Sequence, residues 1–74
     1  MISVKVCYQD SGKPAKGVRA CLGFSGFFSG MSSEEYTDSN GEAHFDNDPG
    51  SGKVYVNGKD VHNGHLSGKV VVYI

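Results

Sequence analysis

The most constraining feature of the sequence is the stretch 36–45, YTDSNGEAHF, in which a turn separates two extended segments. Asn40-Gly41 is the strongest short-range signal for a β-hairpin, because a type I′ turn needs a positive φ at both central residues and Asn and Gly tolerate it. After the turn, Ala43 and Phe45 alternate with polar residues, as in a strand with one buried face. The stretch therefore predicts a hairpin around which the other strands are arranged.

The composition indicates a small all-β domain. The chain has 74 residues, enough for one domain (1–74) with a thin core. Its 11 glycines and its valine-rich apolar set favour short strands joined by tight turns. The formal net charge is −1 and no basic stripe is present, so we expect no nucleic-acid partner. No apolar run reaches the roughly 20 residues of a membrane helix, so we expect no transmembrane segment.

Alternating apolar and polar residues predict further strands at 2–8, 18–22, 53–57, 59–62 and 69–74. The intervening segments 9–17, 46–52 and 63–68 are rich in Gly, Pro, Asn and Asp and are expected to turn. A second Asn-Gly turn is expected at 57–58. The alternation in the first two strands places Cys7 and Cys21 on outward faces and Tyr8 on the buried face. Six or seven short strands at regular spacing are typical of a two-sheet antiparallel sandwich.

Three segments resemble the prealbumin-like sandwich family, which includes transthyretin-like and carboxypeptidase regulatory-like domains. They are VKVCYQDSGKPAKGVRACL at 4–22, TDSNGEAHF at 37–45 and PGSGKVYVNGK at 49–59. The first is similar to that family's opening strand, its Gly-x-Pro-x-x-Gly-Val connection and its second strand. The second is similar to a Thr-Asp-x-x-Gly-x-x-x-Phe turn, and the third to a Pro-Gly…Tyr-x-Val…Gly strand. The resemblance implies two packed sheets with the first two strands in opposite sheets.

The resemblance also bears on Cys7 and Cys21. Outward cysteines on strands of opposite sheets point apart, whereas a disulfide needs Cα atoms about 4.4–6.8 Å apart. If the first two strands paired directly, the cysteines could instead be neighbours. We expect both thiols to be free, which favours a reducing compartment such as the cytoplasm. No signal peptide is recognisable at the start of the chain, and an extracellular site would follow if the chain were a module of a larger surface protein.

Enzymatic branches of such sandwiches have requirements that this chain does not meet. The transthyretin-like hydrolases of purine breakdown carry a terminal Tyr-Arg-Gly-Ser, whereas this chain ends Val-Val-Tyr-Ile. Sandwiches that form isopeptide bonds need an inward lysine on the first strand, and the alternation turns Lys5 outward. No nucleophile–base pair is visible, and His44 is expected to be a surface residue. We therefore expect no enzyme and no cofactor.

Asp60, His62 and His65 lie within six residues and form the alternative site. Imidazole and carboxylate groups bind metal ions, so the alternative function is a small hydrolase or metal-binding protein that uses the His62/His65 loop. The ligand spacing is loose, and a solvated turn beside Asn63-Gly64 explains the same residues.

The segment 23–33 carries Phe24, Phe27, Phe28 and Met31 on a Gly/Ser frame. Large apolar side chains on such a loop can insert into a groove of a partner or into a membrane surface. They can equally cover the open end of a small sandwich, and the sequence leaves both interpretations open.

The last predicted strand, 69–74, is apolar on both faces. Val70, Val72 and Ile74 are predicted to face the core, which turns Val71 and Tyr73 outward. Such a strand implies cover on both sides, although β propensity alone gives the same pattern.

We therefore expect a non-enzymatic binding or structural module that contacts a protein or a ligand. A homodimer through the last strand is expected, because a bare apolar strand favours edge-to-edge pairing. It is expected to be symmetric, since two-fold dimers are the commonest closed assembly. The predicted partner-binding residues are Phe24, Phe27, Phe28, Met31, Val71 and Tyr73.

Overall fold

The computed structural model describes residues 1–25 and 30–74, and all the regular structure in these residues is β. The strands are β1 Ile2–Cys7, β2 Arg19–Phe24, β3 Gly30–Met31, β4 Glu35–Tyr36, β5 Glu42–Phe45, β6 Gly50–Val56, β7 Lys59–Leu66 and β8 Gly68–Tyr73. Sheet A has the order β5-β1-β8. In sheet B, β2, β6 and β7 are neighbours, and β3 and β4 both pair with β2. The predicted all-β, two-sheet architecture is confirmed, with one additional two-residue strand, β3, and one parallel pair, β1–β8.

The core lies between the two sheets and is built from alternate residues of the longer strands. β1 buries Ile2, Val4 and Val6, as its alternation predicts, and β6 buries Val54 and Val56. Each such side chain contributes about 1.5–3 kcal/mol when it is fully buried. The complete buried apolar cluster is Ile2, Val4, Val6, Ala15, Ala20, Leu22, Ala43, Phe45, Val54, Val56, Leu66, Val70 and Val72.

β1 and β2 lie in opposite sheets, as the resemblance implies, and Cys7 and Cys21 are both free. The prediction that Cys7 is exposed on the outer face is wrong, since it is buried. The chain turns back beside it: Cys7 forms an isolated bridge with Pro14, and the Tyr8 N–H donates to the Lys13 carbonyl at 2.9 Å. β1 ends at Cys7, so Tyr8 leaves the alternation and is exposed instead of buried.

The segment 36–45 is not a hairpin, because β4 pairs with β2 in sheet B and β5 pairs with β1 in sheet A. Gly41 has a φ of 75°, but Asn40 has no positive φ, so the turn is not type I′. The Gly41 N–H donates to the Asp38 carbonyl, and Asp38 Oδ1 accepts from the N–H groups of Asn40 and Glu42 at 2.9 and 3.0 Å. The Asp38 side chain, which accepts hydrogen bonds from backbone N–H groups that follow it in the chain, therefore stabilises the turn by which the chain passes from sheet B to sheet A.

The second Asn-Gly dipeptide forms the type I′ turn instead. Asn57 and Gly58 have φ values of 53° and 80° and connect β6 to β7. β7 then continues to Leu66, so the turn predicted at 63–68 is wrong over most of its length. The reason is the length of β6, which pairs with β7 as far as Leu66. The backbone of Asn63 and Gly64 therefore lies within the paired part of β7.

Candidate functional site

β8 is an outer strand of sheet A, and its residues alternate between core and surface. Val70 and Val72 are 8% and 3% exposed, whereas Val71 and Tyr73 are 45% and 52% exposed. Ile74 follows the strand and packs partly buried against the core. The inward and outward assignments of these residues are therefore confirmed.

The backbone of β8 pairs on one side only. It runs parallel to β1, and within residues 1–25 and 30–74 no other strand is paired with it. Just beyond the strand, the Ile74 N–H donates to the Cys7 carbonyl and the Ile74 carbonyl accepts from the Gln9 N–H, both at 2.9 Å. Ile74 thus directs both backbone groups toward the β1 side.

Successive residues of a strand turn their backbone groups to opposite sides. Because the backbone groups of Ile74 point toward β1, the N–H and C=O groups of Lys69, Val71 and Tyr73 point away from β1. We call these three residues the β8 edge. Their side chains also lie on the outer face of sheet A, so backbone groups and an apolar surface are presented together. An extended chain laid along this edge would meet three donors and three acceptors.

Lys69 is the one charged residue of β8, and it does not extend over the open edge. Its ammonium lies 2.8 Å from the carboxylate of Glu42, on the far side of β1. The hydrogen bond from Lys69 is the main cause of a lowered pKa at Glu42. Lys69 is therefore held by its own sheet, and no charge stands beside Val71 and Tyr73 on β8 to oppose strand pairing.

The predicted aromatic site lies only partly within the described residues. Phe27 and Phe28 fall in 26–29, outside them. Phe24 ends β2 and packs partly buried against the core, whereas Met31 of β3 is exposed. Both border a cleft of about 290 Å³ in sheet B. The structure therefore brings Phe24 and Met31 together, but on a different sheet from Val71 and Tyr73.

Sequence reasoning missed an aromatic group on the outer face of sheet B. Tyr36 is 66% exposed and lies opposite Arg19 across the β4–β2 pair. Tyr55 covers Gly23, where an added Cβ would lie 2.8 Å from the tyrosine ring. The alternation of β6 already turned Tyr55 outward, but only the register between β2 and β6 shows what it covers.

A serine–histidine pair also appears that the sequence did not indicate. Ser3 and His44 lie opposite each other on β1 and β5, with Ser3 Oγ 2.8 Å from His44 Nδ1. His44 Nε2 lies 3.9 Å from carboxylate oxygens of both Asp38 and Glu42. We expected no pair of a nucleophile and a base, and this expectation is wrong, since the Ser3 hydroxyl lies within hydrogen-bond distance of the His44 ring. The pair is exposed on an open sheet face, where water competes for each hydrogen bond, so proximity alone does not activate the hydroxyl.

The alternative metal site is not assembled. His62 and His65 lie on β7, and residues three apart on a strand point to opposite faces. The Asp60 carboxylate pairs with the Lys53 ammonium at 3.3 Å. In the described part of the chain, no three His, Cys, Asp or Glu side chains are grouped closely enough to hold a metal ion. The predicted loop is a strand, and this separates its two imidazoles.

Comparisons with known protein families, with curated proteins and with solved structures gave no match for this chain. The resemblance to the prealbumin-like family therefore stays a prediction, while the two-sheet β architecture rests on the structure itself. The described residues contain no helix of the length and hydrophobicity needed to span a membrane.

Proposed function

We propose that this protein is a non-enzymatic binding module that takes an extended polypeptide strand onto the β8 edge. The observation that supports this most directly is that Lys69, Val71 and Tyr73 present, along one line, outward side chains and backbone groups that no strand among the described residues pairs with. In binding by strand addition, main-chain hydrogen bonds supply affinity and alternate side chains supply specificity. Val71 and Tyr73 would supply the apolar contacts.

The β8 edge is already ordered before a partner arrives. Its other side is paired with β1, and Val70 and Val72 anchor it in the core. A partner would therefore not have to order this strand, which lowers the entropic cost of binding.

The expected affinity is modest. Three edge residues make up to six backbone hydrogen bonds, each worth about 0.5–1.5 kcal/mol net. Their sum, about 3–9 kcal/mol, opposes an association cost of about 4–15 kcal/mol. Burial of Val71 and Tyr73 against the partner favours binding by about 25 cal/mol per Å² of apolar area. These terms predict reversible binding that depends on the partner's side chains.

NMR titration of dilute, isotope-labelled protein tests the proposal. The probe is the capped peptide Thr-Val-Thr-Val-Thr, and the control peptide has proline in place of its central Thr. Strand addition predicts shifts at the amides of Lys69, Val71 and Tyr73 that the control peptide does not produce. Shifts confined to β7 or to sheet B, or no shifts at millimolar peptide, would contradict the proposal.

A further inference from the structure

We infer that the strand bound at the β8 edge is β8 of a second copy of this chain, running antiparallel, with a two-fold axis at Val71. This inference rests on the proposed function and names its partner. It would join the two copies of sheet A into one continuous sheet with the strand order β5-β1-β8-β8-β1-β5. The contact is closed, because the same edge is used on both copies.

The placement of the axis follows from which backbone groups are free. In an antiparallel pair, residues that exchange both hydrogen bonds lie directly opposite each other. With the axis at Val71, this residue lies opposite Val71 of the partner subunit. Lys69 then lies opposite Tyr73 of the partner subunit, and the reverse pair follows by symmetry. Every outward N–H and C=O group of the two edges is then used.

The side chains favour the same register. A lysine opposite a tyrosine allows the aliphatic stem of the lysine to cover the aromatic ring, while the ammonium of Lys69 stays with Glu42. An axis at Lys69 would instead set two lysine residues directly opposite each other, and like charges in such a pair are destabilising. It would also leave Tyr73 without a partner from the other edge. The edge is therefore self-complementary in one register.

The surroundings of Tyr73 leave room for this contact. Val61, Tyr73 and Ile74 are among the residues that line a cleft of about 320 Å³ at this side of the sandwich. Lys69 already contacts Glu42 through its ammonium. In the dimer, the ammonium of Lys69 would keep Glu42 of its own chain as its partner, and only the aliphatic stem of Lys69 would contact Tyr73 of the partner subunit.

Charge variants at Val71 test the axis, because only a residue on the axis meets its own copy. Sedimentation velocity is run on wild type, Val71→Lys, Val71→Glu and an equimolar mixture of the two variants. Concentrations span about 10 µM to about 1 mM, the range in which a small strand-edge interface should assemble. We expect wild type to dimerise at the upper end, each variant alone to stay monomeric, and the mixture to form a heterodimer.

Two controls keep the result specific. Asn63→Lys and Asn63→Glu place the same charges on exposed positions of β7 and should sediment as wild type does. Thermal melts of the Val71 variants establish that they fold.

Three outcomes would overturn the inference. A wild type that is monomeric at 1 mM excludes self-association, while peptide-induced shifts on β8 would still support the proposed function. Loss of the dimer in both variants without recovery in the mixture excludes the axis at Val71. Dimers that persist in both charged variants place the contact away from β8.

Discussion

Sheet A has two edge strands, β5 and β8, which differ in how their outward backbone groups are covered. On β5, the Glu42 N–H donates to Asp38 Oδ1 at 3.0 Å and the Glu42 carbonyl accepts from the Asp38 N–H at 2.9 Å. β5 has four residues, and its outward side chains, Glu42 and His44, are polar. β8 has six residues, and Val71 and Tyr73 are apolar. One aspartate in a turn thus covers the Glu42 end of the β5 edge, while β8 has no comparable cover in the described residues.

This difference indicates how the molecule controls strand pairing. Proteins protect edge strands with charge, short length, bulges or covering loops. In sheet B, the β6–β7 ladder shifts register, with Val61 as an extra residue, and β7 carries the polar residues Asn63 and His65. β3 and β4 have only two residues each. An open apolar edge among protected ones is the arrangement that a strand-binding site requires.

Proline substitutions in β8 should show the largest contrast within this edge. Val72 faces β1 with its backbone and is buried, so Val72→Pro removes a ladder donor and disturbs the core. We expect a loss of about 3 kcal/mol or more. Val71→Pro removes only an edge donor and should cost about 1 kcal/mol or less, while it blocks strand binding. Urea denaturation measures both, and similar losses would contradict the assignment of backbone directions.

The next largest loss of stability is expected at Gly41, which precedes β5, the other edge strand of sheet A. Its φ is +75°, and a Cβ there would lie 2.6 Å from the Val6 carbonyl oxygen and 2.9 Å from Pro14 Cβ. Gly12 has a φ of +73° with nothing within 4 Å and is the matched control. Both valine variants carry backbone strain of about 1–2 kcal/mol. Gly41→Val adds a steric cost of about 1–3 kcal/mol, and equal losses of stability in the two variants would disprove the close approach.

The comparison also shows what local sequence patterns can predict. The outward positions of Val71 and Tyr73 followed from alternation, and the positive φ of Gly41 followed from its place in a turn. Both are properties of a few neighbouring residues. The type of the 38–41 turn was mispredicted, because the Asp38 side chain and the pairing of β4 and β5 with different sheets decided it.

The open edge itself could not be predicted from β8 alone. Whether a strand is central or outermost depends on sheet order, which places β1 between β5 and β8 through contacts that are distant in sequence. The meeting of Ser3 with His44 depends on the same long-range register. Tyr36 was assigned to a hairpin, so its exposure beside Arg19 was missed. Phe27 and Phe28 lie outside the described residues and stay predictions.

Acid titration offers a test, with a smaller expected effect, of the hydrogen bonds between Asp38 and β5. The pKa of Asp38 is lowered, mainly by the hydrogen bond from the Glu42 N–H. Such a carboxylate stabilises the fold above its ordinary pKa of 3.8, and this contribution is lost as the pH falls through the lowered value. We expect the Tm of wild type to fall between about pH 5 and about pH 2, and to fall less in Asp38→Asn.

Asp10→Asn is the control for this titration. Asp10 is exposed in the first turn and is not the acceptor of the Glu42 N–H, so its variant should follow the wild-type curve. Identical curves for wild type and Asp38→Asn would mean that the hydrogen bonds of Asp38 do not hold the turn in solution.

The smallest effect concerns Lys69, the only charge on the open edge. Its ion pair with Glu42 is exposed on the lysine side, so Lys69→Thr should change the Tm little. In the dimer centred on Val71, the same variant removes two cross-strand contacts between the lysine stem and Tyr73 of the partner subunit, each worth about 0.2–1 kcal/mol. The Kd measured by sedimentation should therefore rise about two- to thirtyfold. Lys5→Thr removes the same charge from the central strand β1 and should leave the Kd nearly unchanged. Tighter association of Lys69→Thr would mean that Lys69 opposes pairing, which is incompatible with the contact to Tyr73.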